Sequence, residues 1–125
     1  MSSARILYLD DEEPLVFVMK RMLEHLGHQV AGFTRSADAL AAFTAAPADF
    51  DLVLSDMSMP GMSGIEFARG VLAVRADIPV VIATGHVQPQ DVERAEAVGV
   101  REVIQKPNTL EEMTRTVARL LNQAE

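Results

Sequence analysis

Short apolar runs alternate with longer amphipathic stretches along the chain, and the alternation repeats five times. The runs at Arg5–Leu9, Gln29–Phe33, Leu52–Ser55, Val80–Ala83 and Glu102–Ile104 are rich in Val, Ile and Leu. Those beginning at Leu52 and Val80 are continuous rather than alternating, the pattern of parallel strands buried on both faces. Between the runs, apolar positions recur at helical spacing. Pro14 stands where a first helical turn tolerates proline; Leu15, Met19, Met22 and Leu26 then mark one face, and Gly27 ends the helix. Ser36 is placed to cap a second helix carrying Leu40 and Phe43. Ile65, Ala68 and Leu72, widened by Phe67, Val71 and Val74, predict a third helix. Val92 and Ala95 predict a fourth, closed by Gly99. Thr109-x-x-Glu112 reads as a capping box ahead of a fifth helix bearing Met113, Val117 and Leu120. Strict alternation of strand and helix predicts an α/β fold, a doubly wound parallel sheet with helices on both faces.

At 125 residues, 49% hydrophobic and 23% charged, the chain has the size and balance of one ordinary globular domain. It reads as a single cytoplasmic domain over residues 1–125 with no output domain. No cysteine is present, which excludes disulfides and Cys-ligated zinc. No apolar run approaches the roughly 20 residues of a membrane span, and Arg5–Leu9 leads into acidic residues rather than a long signal-peptide core. A net charge of −7 argues against a nucleic-acid surface and leaves room for an acidic site that holds a cation. The methionines, seven in all, fit core filling at helical spacing better than a cofactor box.

In an open parallel sheet, ligands bind beyond the carboxyl ends of the strands, so the residues closing each strand carry the information. Asp10 and Asp11 close the first, with Glu12 and Glu13 following; Asp56 closes the third, Thr84 the fourth and Lys106 the fifth. If the first and third strands are neighbours, roughly 5 Å apart, three carboxylates converge on one edge. Unit charges about 4 Å apart repel by roughly 4 kcal/mol at an effective dielectric near 20, so such a cluster calls for raised pKa values, a nearby cation or a metal. All-oxygen ligands with room for water suit Mg²⁺. A carboxylate beside Mg²⁺, a lysine and a hydroxyl is a site for phosphoryl transfer, with Asp56 as the nucleophile. Singly, each residue has a plainer reading: Asp10 and Asp11 as a solvated helix N-terminus, Asp56 as a loop carboxylate, Lys106 and His86 as surface. His25 and His28 lack a third ligand nearby and read as a helix end and the start of a strand. Gly61 and Gly64 read as turn and helix-start residues, and Glu93, Arg94 and Glu96 as a solvated helix face.

The set Asp10-Asp11, Asp56-Met57-Ser58-Met59-Pro60-Gly61-Met62-Ser63-Gly64, Thr84-Gly85 and Lys106-Pro107 resembles the receiver domain of two-component response regulators, over essentially the whole chain. The resemblance implies a flavodoxin-like (βα)5 fold of strand order 2-1-3-4-5. It also implies phosphoryl transfer to Asp56 from the phosphohistidine of a sensor histidine kinase or histidine phosphotransfer protein. Mg²⁺ would be held by Asp11, Asp56 and the backbone carbonyl of Ser58, with Asp10 acting directly or through water. Thr84 and Lys106 would drive the switch toward a downstream protein target, with no direct nucleic-acid or membrane contact. Ser58 and His86 fall where receivers vary around the phosphate and would set its lifetime. A cis peptide before Pro107 is implied too.

The chain departs from the family pattern at Val103, where many receivers carry Tyr or Phe, and at Asn108, where Phe is frequent. An aromatic ring swinging inward behind Thr84 is therefore not available. The run from Gly99 to Pro107 is more similar to receivers attached to hybrid sensor kinases. Val98, Val103 and Leu110 are candidates for the output face of the fourth helix, fifth strand and fifth helix. Three other functions compete with this reading. A haloacid-dehalogenase-type phosphatase needs a second Asp where Ser58 stands. A flavodoxin-like flavin carrier needs a hydroxylated loop where this chain is acidic. A pseudo-receiver, a binding module that works without phosphorylation, is opposed by Asp56, Thr84 and Lys106 and kept open by Val103.

Overall fold

All five apolar runs form parallel strands of one sheet in the order β2-β1-β3-β4-β5. The computed structural model describes residues 3–106 and 109–124. In chain order the elements are β1 (Arg5–Leu9), α1 (Glu13–His25), β2 (Gln29–Phe33), α2 (Ser36–Ala45), a 3₁₀ turn (Pro47–Asp49), β3 (Leu52–Asp56), α3 (Gly64–Val74), β4 (Val80–Thr84), α4 (Pro89–Val98), β5 (Glu102–Gln105) and α5 (Leu110–Ala124). β3, β4 and β5 each run one residue beyond the sequence expectation, because the parallel ladder continues to the pairs Asp56↔Ala83 and Thr84↔Gln105.

Side chains alternate across the sheet, and each face closes its own core. Leu7, Leu9, Val53, Val80 and Ile82 face α2, α3 and α4, burying Phe43, Phe67, Val71 and Ala95. Ile6, Tyr8, Leu54, Val81 and Ile104 face α1 and α5, burying Leu23, Met113, Val117 and Leu120. Each of the fully buried large side chains stabilises the fold by about 1.5–3 kcal/mol relative to exposure. β3 is buried along its whole length, as its continuous apolar run requires.

Local details differ from the sequence expectation in three places. Ser36 is the first helical residue of α2; Arg35 holds the cap position, and no side chain caps that end. The innermost residues of α1 are Val16 and Leu23, with Leu15, Met19, Met22 and Leu26 half-buried on either side. Val74 ends α3 on the solvent side, 42% exposed, because the stripe of α3 is already filled by Ile65, Phe67, Ala68 and Val71. His28 is buried, and its Nδ1 accepts from the Ala4 amide at 3.1 Å, which makes it a structural acceptor at the start of β2. The bond preceding Pro107, and Asn108 with it, lie outside the described residues, as does the side chain of Leu110.

Two features seat α3 at the end of β3. Ser63 and Glu66 form a reciprocal capping box, each side chain bonded to the other's backbone amide at 3.1 Å. The Gly64 amide donates to the Met57 carbonyl at 2.8 Å, bringing the two backbones so close that a Cβ on Gly64 would run into the Asp56 carbonyl oxygen. Gly64→Ala is therefore expected to destabilise the fold by about 1–3 kcal/mol through overpacking. A urea melt checks this, with an unchanged midpoint as the contrary result.

Candidate functional site

β1 pairs with β3 in the register Leu9↔Ser55, so the next residues, Asp10 and Asp56, emerge side by side at the carboxyl end of the sheet. Asp10 is fully buried and Asp56 is 7% exposed. Asp11 lies exposed beside them, and one carboxylate oxygen from each of the three falls within 4.8 Å of the others. Two such charges at that distance repel by roughly 3–4 kcal/mol at an effective dielectric near 20.

The cluster is held by donors from several elements. Lys106, following β5, places its Nζ 3.0 Å from Asp56 Oδ1 and 3.3 Å from Asp10 Oδ2. The Glu12 amide, at the cap position of α1, donates to Asp10 Oδ1 at 3.0 Å. The Tyr8 hydroxyl donates to Asp10 Oδ2 at 3.1 Å. Tyr8 is a site residue that the sequence reading missed; the signal for it is its place two residues before Asp10, on the same face of β1.

Burial pushes the Asp56 carboxyl up, the Lys106 contact pulls it back, and the charge of Asp10 raises it again; the net shift is upward. For Lys106, burial works against the charged form, but the bond to Asp56 and the charge of Asp10 outweigh it and raise the ammonium above its ordinary value. Burial and the neighbouring Asp10 push the Tyr8 phenol well above its usual range. Lys106 is thus held charged, and the Tyr8 hydroxyl keeps its proton.

Three carboxylates facing one ammonium leave two negative charges, the charge of a single divalent cation. Hard oxygen donors, two buried and one open to water, fit Mg²⁺, which binds through one or two carboxylates and keeps several waters.

The other expected site residues stand around this cluster. Thr84 ends β4, half-buried; its hydroxyl exchanges long 3.4 Å contacts with the backbone N–H and carbonyl of His86. His86 and Ser58 are exposed, Ser58 two residues past Asp56. Val103 is half-buried, paired with Ile82 in the ladder and packed with Val98 against the core on the α4 face. Gln105 donates its Nε2–H to the Gly85 carbonyl at 2.6 Å, and the Lys106 amide donates to the Thr84 carbonyl at 2.8 Å, so β5 grips the end of β4. His25 is exposed on α1, away from any such cluster among the described residues.

The family model described as the response regulator receiver domain matches residues 6–118. The C4-dicarboxylate transport transcriptional regulatory protein DctD of Rhizobium meliloti is 34% identical over 121 residues, covering 95% of this chain and 26% of its own length. The sensory/regulatory protein RpfC of Xanthomonas campestris is 32% identical over 122 residues, covering 94% of this chain and 16% of its own. The chain thus spans about a quarter or less of these two relatives. A receiver domain structure from Clostridium thermocellum superimposes with a TM-score of 0.86 at 30% identity, covering 96% of this chain and 95% of that one.

The upward shift of Asp56 has a consequence for stability. A carboxyl whose folded pKa is raised contributes stability below its unfolded value and loses it as pH rises through the folded value, so at neutral pH the ionised Asp56 costs stability. Asp56→Asn is expected to melt higher than the parent at pH 7 in chelator, by about 4 °C for each kcal/mol relieved, with the difference shrinking toward acid pH. Differential scanning calorimetry at both pH values checks it; a lower melting temperature at pH 7 is the contrary result.

Proposed function

Because the chain belongs to the response regulator receiver domain family, we propose that it is a signalling switch whose Asp56 accepts a phosphoryl group from a phosphohistidine. The observation that carries this reading is the buried Asp56 carboxylate, held 3.0 Å from Lys106 inside a cluster of three carboxylates. In the transfer, an Asp56 oxygen forms a bond to phosphorus as the P–N bond to the donor imidazole breaks, and the released imidazole takes up a proton. Asp10, Asp11, Asp56 and the backbone carbonyl of Ser58 would hold Mg²⁺. That ion, when bound, supplies the positive charge that neutralises the phosphoryl oxygens.

The chain's own groups have separable roles. Lys106 already sits on Asp56 and pairs with the charge that arrives there. Among the described residues Thr84 has only the long contacts to His86 to give up, so its hydroxyl turns toward a phosphoryl oxygen at little cost. Both movements favour one of two conformations, and the face of α4, β5 and α5 presents the result to a protein partner. Ser58 and His86, exposed near the carboxyl end of the sheet, govern the access of water to the acyl phosphate and hence its lifetime. The phosphoryl donor is a sensor histidine kinase or histidine phosphotransfer protein, and the setting is cytoplasmic. No nucleic acid is contacted directly and no membrane is bound; among the described residues no helix is long and apolar enough to cross one.

A second reading has one observation in its favour. Val103 fills the position of the usual aromatic switch residue and is packed against the core, so phosphorylation cannot be read out by a ring swinging inward there. A pseudo-receiver, binding its partner regardless of phosphorylation, would have that property. Incubation with acetyl phosphate and Mg²⁺, followed by intact mass, separates the two. The switch predicts a metal-dependent phosphoryl adduct that Asp56→Asn lacks. Lys106→Ala is expected to retain an adduct but lose the adduct-induced change in the amide NMR spectrum. Labelling of Asp56→Asn, or a full spectral change in Lys106→Ala, contradicts these assignments.

A further inference from the structure

We propose that Tyr8 is a positioning residue of the acidic site whose hydroxyl competes with a bound cation for the charge of Asp10. This rests on reading the cluster as a Mg²⁺ site and goes further by naming a group that sets its affinity.

Asp10 is fully buried, and among the described residues three donors reach its carboxylate. The Glu12 amide is fixed by the first turn of α1. Lys106 is shared with Asp56 and sits closer to it, 3.0 against 3.3 Å, and an incoming phosphoryl group draws it further that way. Tyr8, by contrast, is 4% exposed, and its hydroxyl is given to Asp10. Its backbone pairs with Gly32 of β2 and Leu54 of β3, and its ring projects from the sheet into the core beneath α1 and α5. It lines a cavity of about 50 Å³ with Leu54, Ile104, Lys106, Met113 and Val117, and its hydroxyl reaches Asp10 at the strand end.

A hydrogen bond to an ionised carboxylate is about twice as strong as one to a neutral acceptor. A cation on the cluster takes up part of the Asp10 charge and so weakens the Tyr8 bond. The bond therefore stabilises the metal-free protein more than the metal-bound one. By linkage, the hydroxyl lowers cation affinity. A tyrosine that only packed, or that only held Asp10 in a binding geometry, would leave affinity unchanged or raise it.

Tyr8→Phe keeps the ring and removes the hydroxyl. Calorimetric titration with Mg²⁺ alone, at fixed ionic strength, is expected to show roughly three- to tenfold tighter binding than in the parent, the part of a charge-assisted bond that the cation displaces. The same variant melts lower in chelator. Equal or weaker Mg²⁺ binding by Tyr8→Phe, with the parent binding normally, overturns the role of Tyr8 alone. A parent that binds no Mg²⁺ takes down the cation reading and this proposal together. Should Tyr8→Phe fail to fold, the parent supplies the second measurement. Tyr8 is its only tyrosine and it has no tryptophan, so tyrosine emission reports this one hydroxyl. Hydrogen bonding to a carboxylate quenches phenol emission, and Mg²⁺ should brighten it along the calorimetric isotherm. Emission unchanged through saturation overturns the proposal.

Discussion

Register alone puts Asp10 beside Asp56: β1 meets β3 as Leu9↔Ser55, and the next residue along each is an aspartate. Parallel neighbours lie about 4.8 Å apart, so two carboxylates on adjacent strand ends have no room to avoid each other. Both are buried, which removes the water that would screen them. Much of the surrounding chemistry answers this constraint. Lys106 returns from the far edge of the sheet to bridge the two, the cap of α1 offers an amide, and Tyr8 offers a hydroxyl. Two negative charges are left uncompensated, a charge that one divalent cation would balance.

The site also sits where the two cores meet. Asp10 and Tyr8 connect it to the α1–α5 face, while Thr84, Gly85 and Gln105 connect it to the loop leading into α4. A charge arriving at Asp56 therefore acts on both faces of one sheet. With Val103 in place of an aromatic, β5 offers no ring to move beside α4, whereas the ring hydrogen-bonded into the site is that of Tyr8, on the opposite face. The links between β4 and β5, Lys106 to Thr84 and Gln105 to Gly85, are backbone and amide bonds that move with the strands themselves. Packed cores favour a few discrete arrangements over continuous deformation, which is how a small displacement at a strand end would be passed to the helices in the switch proposed above.

Much of this was legible in the chain. Five apolar runs predicted the order of elements, and Asp10, Asp11, Asp56, Thr84 and Lys106 at the ends of four of them marked the candidate site, because strand termini are where a parallel sheet exposes its chemistry. The strand order itself came from family resemblance, since periodicity carries no information about which strands are neighbours. Finer features depended on orientation. The stripe of α1 centres on Val16 and Leu23 because the helix is rotated by tertiary packing, and apolar residues on adjacent positions leave that rotation undetermined. Ser36 lies one residue inside α2, the usual uncertainty of a helix boundary. The capping box Ser63-x-x-Glu66 has a spacing that the sequence alone displays, within the same stretch as the motif that begins at Asp56. Tyr8 has no motif to mark it, and its bond to Asp10 depends on which face of β1 each residue takes.

In the switch proposed above, Asp56 carries the phosphoryl group as an acyl phosphate. Borohydride reduction of the protein after exposure to a phosphohistidine donor and Mg²⁺, followed by peptide mass mapping, tests it most directly, since reduction converts an aspartyl phosphate to homoserine. Homoserine at position 56, dependent on donor and metal, is the predicted result; an unaltered Asp56 with the phosphoryl group recovered on another residue would contradict it.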